Sequence, residues 1–282
     1  MPTLIPQLLS HNATLHPNQT AIIHKKQQWN YQQLDTQVNQ QAKALINLHL
    51  KPQQRVAIYL PKQIETVTSF FATSKAGGVF VPINPVLKAP QVSYILNDCN
   101  VQILITSKSR LVGLSHEINN CPDLHTIILV DNDLPSLEKS ISVKIISWDQ
   151  FNNTPNDLPL PNIIDTQMAA ILYTSGSTGK PKGVVLSHRN IIAGAESVAE
   201  YLNITQKDKI LAVLPFSFDY GLNQLISSLL QGAECILLDY LLPRDVIKAL
   251  EKHQITALAA VPPLWAQLSK LEWPQSINQH LR

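Results

Sequence analysis

The stretch YTSGSTGKPKGVVLSHRN, residues 173–190, brings flexible backbone, hydroxyl groups and positive charge together in one place. The chain has 9 glycines in 282 residues, and Gly176, Gly179 and Gly183 all fall within this stretch. Glycine adopts positive φ at little cost, so backbone N–H groups in such a segment can turn toward an anion. We therefore interpret the stretch as a phosphate-binding loop. The alternative is an ordinary hairpin loop between two strands, rich in turn-forming residues.

The hydroxyl, ammonium and backbone N–H groups of this loop could surround several phosphate oxygens at once. The candidate nucleotide-binding residues are Thr174, Ser175, Gly176, Ser177, Thr178, Gly179, Lys180 and Lys182. The Walker pattern is excluded, because Thr174 stands at its first glycine and Pro181, which lacks an N–H, stands at its Ser/Thr position. The dinucleotide fingerprint Gly-x-Gly-x-x-Gly does not occur in the sequence either.

The composition is that of a globular protein with balanced charge. Hydrophobic residues make up 45% of the chain, and 22 basic residues against 20 acidic ones leave a net charge of +2. This balance gives no electrostatic reason to expect binding to nucleic acid or to an anionic membrane. No apolar run is long enough to cross a bilayer and no signal peptide is recognisable, so we predict no membrane span. The scattered Cys99, Cys121 and Cys235 fit neither a metal site nor a disulfide framework. Three free thiols predict a reducing compartment, most simply the cytoplasm.

Short apolar runs alternate with helix-like segments along the chain. The predicted strands include RVAIYL (55–60), VFVPI (79–83), VQILITS (101–107), TIILV (126–130), MAAILYT (168–174), ILAVLPF (210–216) and ECILLD (234–239). Continuous apolar strands indicate sheets that are covered on both faces. Their alternation with helices predicts an α/β fold of two lobes, each with a largely parallel sheet flanked by helices.

A proline-rich stretch, NNTPNDLPLPN, interrupts this pattern at residues 152–162. Few of its residues are apolar, as is typical of a linker. We predict a first α/β lobe at residues 1–151, a linker at 152–162 and a second α/β lobe at 163–282. The second lobe carries the phosphate loop and part of a substrate pocket.

Three stretches of the chain resemble motifs of one enzyme family. ILYTSGSTGKPKGVVLSHRN resembles the signature of the AMP-forming adenylating enzymes, a superfamily that includes acyl-CoA synthetases, peptide-synthetase adenylation domains and firefly luciferase. Residues 74–106 look like the family's earlier core motif, and residues 214–239 look like its acid-pocket motif. The resemblance covers essentially the whole chain and implies the N-terminal large domain of the adenylate-forming fold. Phrases such as LDYLLPRDV (238–246) resemble the exosortase-associated acyl-CoA ligase branch.

The resemblance implies a two-step reaction. A carboxylic acid attacks the α-phosphate of ATP, in the presence of Mg²⁺, and yields an acyl adenylate and pyrophosphate. The thiol of CoA or of an acyl-carrier protein then accepts the acyl group. The family's loop closes over the β- and γ-phosphates, which implies catalytic roles for Thr174 and Lys182 and a nucleotide-binding role for the whole segment 174–182. Preorganised donors and Mg²⁺ would stabilise the charge that develops on the phosphates.

The same resemblance implies a binding site for the acid at Phe218, Asp219, Tyr220 and Asn223. In amino-acid-activating relatives, an aspartate at the position of Asp219 pairs with the substrate ammonium. The alternative is that Asp219 is the N-cap of a helix that begins at Tyr220. The acyl-CoA ligase branch favours a broader acyl substrate, so the class of acid stays open. For His188 we expect a packing role, because no Cys, Asp or Glu lies at a motif spacing from it. The resemblance places Trp265 beside the acid pocket, and we expect it to be a core residue.

Three catalytic parts of the family are missing from the sequence. These are a later motif whose glutamate helps to hold Mg²⁺, an aspartate that binds the ribose hydroxyls, and a C-terminal lid with its lysine. We therefore expect an N-terminal fragment that is inactive alone and that requires a missing C-terminal lobe as a partner. The alternative is a non-catalytic remnant that binds nucleotide or acyl groups without reacting.

Overall fold

The computed structural model describes residues 2–133, 143–154, 158–174 and 180–282. Within these ranges the strands are β1 (Thr20–His24), β2 (Gln27–Asn30), β3 (Arg55–Tyr59), β4 (Val79–Pro82), β5 (Val101–Thr106), β6 (Thr126–Leu129), β7 (Lys144–Ser147), β8 (Met168–Thr174), β9 (Lys182–Ser187), β10 (Lys209–Ala212), β11 (Glu234–Leu237) and β12 (Ala257–Leu258). The helices are α1 (Ile5–Leu15), α2 (Tyr31–Asn47), α3 (Ile64–Lys75), α4 (Ala89–Asp98), α5 (Lys108–Leu114), α6 (Trp148–Asn152), α7 (His188–Tyr201), α8 (Asp219–Leu230), α9 (Pro243–His253) and α10 (Pro262–Leu268).

The strands form two sheets. The larger sheet has seven strands in the order β7-β6-β5-β3-β4-β8-β9, and the smaller has five in the order β12-β10-β11-β1-β2. Pairing is parallel except at one edge of each sheet, where β9 runs antiparallel to β8 and β2 runs antiparallel to β1. The predicted α/β class with largely parallel sheets is confirmed. The helices that connect parallel strands cover the faces of both sheets.

The two sheets are interleaved along the sequence. Strands β1 and β2, near the start of the chain, pair into the sheet of β10, β11 and β12, while β8 and β9 complete the sheet of β3 to β7. The sheets therefore do not coincide with the predicted lobes 1–151 and 163–282, and each sheet has strands from both sides of residues 152–162. The division into lobes stays a prediction about folding units, and residues 155–157 of the predicted linker lie outside the described ranges.

A layer of helices lies between the two sheets. Alternate residues of a strand face opposite sides of its sheet. Ile58 of β3 and Leu237 of β11 accordingly belong to the same core cluster as buried residues of α1, α2, α3 and α8. Ala57 on the opposite face of β3 packs with α4 and α5, and Ile236 on the opposite face of β11 packs with α9 and α10. The result is five layers, α/β/α/β/α, with one helical layer shared by both sheets.

Helix α2 shows how the sequence specifies this central layer. The Asn30 side chain accepts a hydrogen bond from the Gln33 N–H, and the Gln33 side chain accepts one from the Asn30 N–H, so the helix begins with a capping box. Leu34, Val38 and Leu45 then recur at helical spacing and are fully buried. Gln41 shares this face and is fully buried, whereas Gln37, Asn39 and Gln40 are half-buried.

Aromatic contacts connect the two sheets through the central layer. The Phe70 ring of α3 stacks on Phe80 of β4 with their centroids 4.9 Å apart. The Phe70 and Phe216 rings pack in a T-shaped arrangement with their centroids 6.0 Å apart, and Phe216 follows β10 in the smaller sheet. Such pairs add to the stabilisation from burial alone. They place the segment after β10 next to the carboxyl ends of β3 and β4.

A single glycine allows α8 to start close to this segment. A Cβ atom at Gly221 would lie 2.1 Å from the carbonyl oxygen of Pro215 and 2.8 Å from its carbonyl carbon. Both atoms belong to the backbone and cannot rotate away. Any side chain at this position would force α8 away from the turn that precedes it.

We expect Gly221→Ala to lower the free energy of unfolding by about 3 kcal/mol, because the new methyl group collides with backbone rather than with a flexible side chain. Gly113→Ala is the matched control, since Gly113 is an exposed residue of α5 and no atom lies within 4 Å of the added Cβ. The control should gain about 0.5–1 kcal/mol from higher helix propensity. Urea denaturation of both variants measures the difference, and equal stabilities would contradict this steric account.

Candidate active site

The segment that opens the sequence analysis is carried on a β-hairpin. Strands β8 and β9 pair in register with Thr174 opposite Lys182 and Tyr173 opposite Gly183. The two residues predicted to be catalytic thus face each other at the last pair of the ladder. The connection is a hairpin, as the alternative interpretation required, but a hairpin can also bind phosphate. Five of the predicted nucleotide-binding residues, Ser175, Gly176, Ser177, Thr178 and Gly179, lie outside the described ranges.

Two lysines lie where the loop rejoins the sheet, at the end of the β8–β9 ladder that we call the hairpin base (Thr174, Lys180 and Lys182). Lys180 and Lys182 are both exposed. Among the described residues neither forms an ion pair with a carboxylate, whereas Lys62, Lys75, Arg189 and Arg282 do. The positive charge at the hairpin base is therefore uncompensated by the described part of the chain, and it is available to an anionic ligand.

The third glycine of the motif has a packing role. Gly183 lies in β9, and a Cβ there would be 2.8 Å from Cγ2 of Ile171 and 3.2 Å from Cζ of Tyr173. The Tyr173 ring therefore lies across the position where a side chain would project. The structure gives a steric reason for this glycine, in addition to the flexibility that the sequence suggests.

The end of the motif, SHRN, begins helix α7. The Ser187 hydroxyl accepts a hydrogen bond from the Asn190 N–H at 3.1 Å, and the Asn190 side chain accepts one from the Ser187 N–H at 3.0 Å. Arg189 forms a two-point ion pair with Asp165, at 2.8 and 3.0 Å. These contacts fix the start of α7 directly after β9.

His188 is a packing residue, as expected from the sequence. Its ring is 1% exposed, and Nδ1 accepts a hydrogen bond from the Ile5 N–H at 3.3 Å. Nδ1 is an acceptor, so the proton of the neutral ring is on Nε2, which has no partner among the described residues. Burial lowers the pKa of His188 from 6.5 to about 4, partly offset by Asp165.

The predicted acid-binding residues lie at the start of α8. Phe218, Asp219 and Tyr220 are exposed and Asn223 is half-buried. Asp219 and Asn223 are four residues apart and share one helix face. The helix begins at Asp219, with Phe218 at the N-cap position and no side-chain cap, so the interpretation of Asp219 as the N-cap is wrong. In the described part of the chain, the Asp219 carboxylate makes no hydrogen bond or ion pair.

A cleft of about 670 Å³ opens between the sheets, at the carboxyl ends of β3, β4 and β10. In α/β proteins, ligands bind preferentially at this edge of a sheet. Apolar residues such as Ile58, Phe70 and Phe216 form most of its lining, with Lys62 and Arg110 as its cationic groups. Phe216 and Ser217 border the cleft, but the four predicted acid-binding residues are not part of its described lining.

The family model for AMP-binding enzymes matches residues 9–282. The chain belongs to the AMP-binding enzyme family. Its fold is that of the N-terminal domain of the adenylate-forming enzymes, and the predicted family is thereby confirmed at this level. The match identifies the family but not a branch of it, so the exosortase-associated branch stays a prediction.

Known members of the AMP-binding family resemble the chain over nearly its full length. It is 31% identical over 257 residues to gramicidin S synthase 2 of Brevibacillus brevis, which covers 90% of this chain and 5% of that protein. It is 29% identical over 267 residues to zwittermicin A synthase ZmaJ of Bacillus cereus, which covers 94% of this chain and 47% of that protein. The chain thus spans less than half the length of these relatives.

Solved structures of the AMP-binding family share the fold. The anthranilate CoA ligase AuaEII, in complex with anthranoyl-AMP, superposes with a TM-score of 0.88 at 24% identity, covering 100% of this chain and 55% of that one. The N-terminal domain of FACL13 from Mycobacterium tuberculosis superposes with a TM-score of 0.79 at 25% identity, covering 96% and 66%.

A lysine that the sequence analysis missed connects the two sheets of this family member. The Lys62 side chain is 5% exposed, and its ammonium lies 2.8 Å from Asp239 Oδ1. It also donates hydrogen bonds to the carbonyl oxygens of Val213 at 3.0 Å and Leu214 at 3.3 Å. Burial lowers the pKa of Lys62, while Asp239 raises it. Lys62 follows β3 of the larger sheet, and its acceptors follow β10 and β11 of the smaller one.

Arg110 is the second cation of the cleft and was also missed. Its guanidinium lies 4.6 Å from the centroid of the Tyr59 ring. One of its N–H groups donates to the carbonyl oxygen of Pro85 at 2.7 Å. Both Lys62 and Arg110 follow strands of the larger sheet at the same edge. In the sequence, each of these cations follows a buried strand by a few residues, and this spacing could have marked both as candidates.

The described ranges contain neither a candidate metal site nor a membrane-spanning helix. No group of three or more His, Cys, Asp or Glu side chains comes together there in a way that could hold a metal ion. No helix of that part of the chain is long and apolar enough to cross a membrane. Cys99, Cys121 and Cys235 are buried free thiols.

The ion pair between Lys62 and Asp239, which we call the Lys62 bridge, can be tested by substituting Asp239. We expect Asp239→Asn to lower the free energy of unfolding by about 1–2 kcal/mol, because the buried ammonium loses its counter-ion while Asp239 itself is partly solvated. Asp123→Asn is the control, since Asp123 is exposed and accepts a hydrogen bond only from the Asn100 side chain in the described chain. Urea denaturation at neutral pH measures both variants. A loss no larger than that of the control would argue against the bridge.

His188 makes stability depend on pH in a known direction. Its pKa is about 4 in the folded chain and 6.5 when unperturbed, so between these values the unfolded chain binds a proton that the folded chain excludes. Its neutral ring is fully compatible with folding above 6.5, and stability falls as pH drops toward 4, by about 3 kcal/mol in total. We expect His188→Gln to remove this part of the dependence. Urea denaturation at several pH values measures the free energy of unfolding of both proteins. If that free energy fell equally with pH in wild type and variant, the prediction would be wrong.

Proposed function

We propose that the chain forms the ATP-binding and acid-binding part of an enzyme that activates a carboxylic acid as an acyl adenylate, releasing pyrophosphate. The thiol of CoA or of an acyl-carrier protein would then accept the acyl group. The observation that supports this most is the hairpin base, where Thr174 faces Lys182 and two lysines have no carboxylate partner among the described residues. Family membership agrees with this reaction class.

At the hairpin, each group would act on the phosphates of ATP. Lys180 and Lys182 would neutralise the charge of the β- and γ-phosphates, and the Thr174 hydroxyl would donate a hydrogen bond to a phosphate oxygen. Ser175, Gly176, Ser177, Thr178 and Gly179 are proposed as further donors. Mg²⁺ would supply additional charge neutralisation on the same oxygens. The glutamate of the later family motif would help to hold the ion.

At the start of α8, Phe218, Asp219, Tyr220 and Asn223 would bind the acid. The Asp219 carboxylate, which has no partner among the described residues, supports an amino or imino acid, because it can pair with an ammonium group. We also propose the exosortase-associated acyl-CoA ligase branch, which rests on phrases such as LDYLLPRDV and favours a broader acyl substrate. A panel of amino acids and simple acyl acids in the assay below distinguishes these two substrate classes.

The remaining catalytic groups would come from outside the 282 residues. Relatives are longer than this chain, which spans 47% of ZmaJ and 66% of the FACL13 N-terminal domain. We propose a C-terminal lobe as partner, which would bring the glutamate, aspartate and lysine named above. We also propose that the protein is cytoplasmic. A non-catalytic nucleotide-binding or acyl-binding role is the alternative for the chain on its own.

Titration calorimetry with Mg²⁺-ATP tests the phosphate site. We expect Lys182→Ala to weaken ATP binding roughly tenfold, equivalent to about 1.4 kcal/mol, through loss of one charge-assisted contact. Lys270→Ala is the matched control, because Lys270 is an exposed lysine beyond α10. Equal affinities for wild type and Lys182→Ala would favour a purely structural hairpin.

Acid-dependent exchange of pyrophosphate into ATP tests the reaction itself. We expect background exchange from the isolated chain and restored exchange when a C-terminal lobe from a relative is supplied. Exchange by the isolated chain would contradict the requirement for a second lobe. ATP binding without exchange under both conditions would favour the non-catalytic alternative.

A further inference from the structure

The C-terminal part of α4 contacts strand β8 and the residue before β9, where the loop joins the sheet. The Tyr173 hydroxyl, on β8, donates a hydrogen bond to Asp98 Oδ2 at 2.7 Å. The Tyr94 hydroxyl lies 3.3 Å from the carbonyl oxygen of Pro181, which precedes β9, and 3.4 Å from Asp98 Oδ1. Tyr94 and Asp98 are four residues apart and therefore share one face of α4. One helix face thus holds both ends of the loop.

The outer edge of the hairpin has no strand beside it in the described part of the chain. Strand β9 is the edge of the seven-stranded sheet, and among the described strands it pairs with β8 alone. Four of its residues are exposed, including Val184 at 45% and Val185 at 53%. Strand ends fray when only one neighbour holds them. The contacts with α4 occur at the end of the ladder that carries Thr174 and Lys182.

Gly183 makes this arrangement possible. Because it has no side chain, the Tyr173 ring can lie across β9, and from there its hydroxyl reaches Asp98. Tyr173 also stays a hydrogen-bond donor: burial raises its pKa, and the hydrogen bond to Asp98 raises it further. The ring, the glycine and the carboxylate form one connected unit, which we call the α4 clamp (Tyr94, Asp98, Tyr173 and Gly183).

We propose that the α4 clamp positions Thr174 and Lys182 for nucleotide binding, with Asp98 and Tyr94 as positioning residues that do not touch the ligand. This inference rests on the proposed function for its link to ATP. Its structural part, that α4 holds the hairpin base in place, stands on the contacts above. The clamp acts at the two positions where the loop joins the sheet.

Hydrogen exchange of the backbone amides tests the structural part without any ligand. We expect Tyr173→Phe and Asp98→Ala to accelerate exchange in peptides covering 168–174 and 182–187 by roughly five- to tenfold, as expected for loss of a hydrogen bond to a charged group at the surface. Asp98→Asn, which keeps a carbonyl acceptor, should restore slow exchange. Tyr201→Phe is the control, because Tyr201 is 64% exposed on α7.

Calorimetry with Mg²⁺-ATP tests the functional part on the same variants. We expect Tyr173→Phe and Asp98→Ala to bind ATP about fivefold more weakly. Asp98→Asn and Tyr201→Phe should bind as wild type does. Tyr94→Phe removes the contacts with the Pro181 carbonyl and with Asp98 Oδ1 but keeps the hydrogen bond between Tyr173 and Asp98. It should give a smaller loss, and it tests the inference even if Asp98→Ala fails to fold.

Two results would overturn the inference. Unchanged exchange in both Tyr173→Phe and Asp98→Ala would mean that the β8–β9 ladder holds the hairpin by itself. Faster exchange with unchanged ATP affinity would remove the positioning role. If the wild-type chain binds no ATP, the proposed nucleotide site is rejected, while the exchange measurements still decide whether the clamp exists.

Discussion

The structure depends on one helical layer that is buried by two sheets at once. Helices α3 and α8 are buried on nearly all sides, and neither sheet alone could cover them. The two sheets must therefore lie on opposite sides of this layer, with the carboxyl ends of several of their strands near a common cleft. Lys62 and the aromatic contacts around Phe70 join the sheets at that cleft. The position of every candidate site residue after β10 follows from this arrangement.

Much of the fold could be predicted because secondary structure leaves a local pattern. The apolar runs at 55–60, 101–107 and 168–174 correspond closely to β3, β5 and β8. The partition of strands between sheets could not be predicted, because pairing between β1 and β11 joins residues more than two hundred positions apart. Hydrophobic periodicity reports which residues are buried, but it carries no information about which distant strand is the neighbour.

In the candidate site, too, some residues could be predicted from the sequence and others could not. The motif around the hairpin could be recognised from sequence, because its glycines, hydroxyls and lysines are consecutive. The Asp219 N-cap was wrong, since a helix boundary shifts by one residue without changing the pattern. Lys62, Arg110 and Asp98 had no motif to mark them. Their roles depend on partners such as Asp239, Tyr59 and Tyr173, which lie far away in sequence and meet them only in the fold.

Gly183 has a consequence for how this chain could change over time. Its constraint is steric and comes from the Ile171 and Tyr173 side chains, so it does not depend on whether any nucleotide is bound. A descendant that had lost ATP binding would be free to replace the lysines of the hairpin, yet any side chain in place of this glycine would still collide with the packing of Ile171 and Tyr173. Among degenerate relatives, glycine at this position together with altered lysines would therefore record the loss of the ligand, with the hairpin retained.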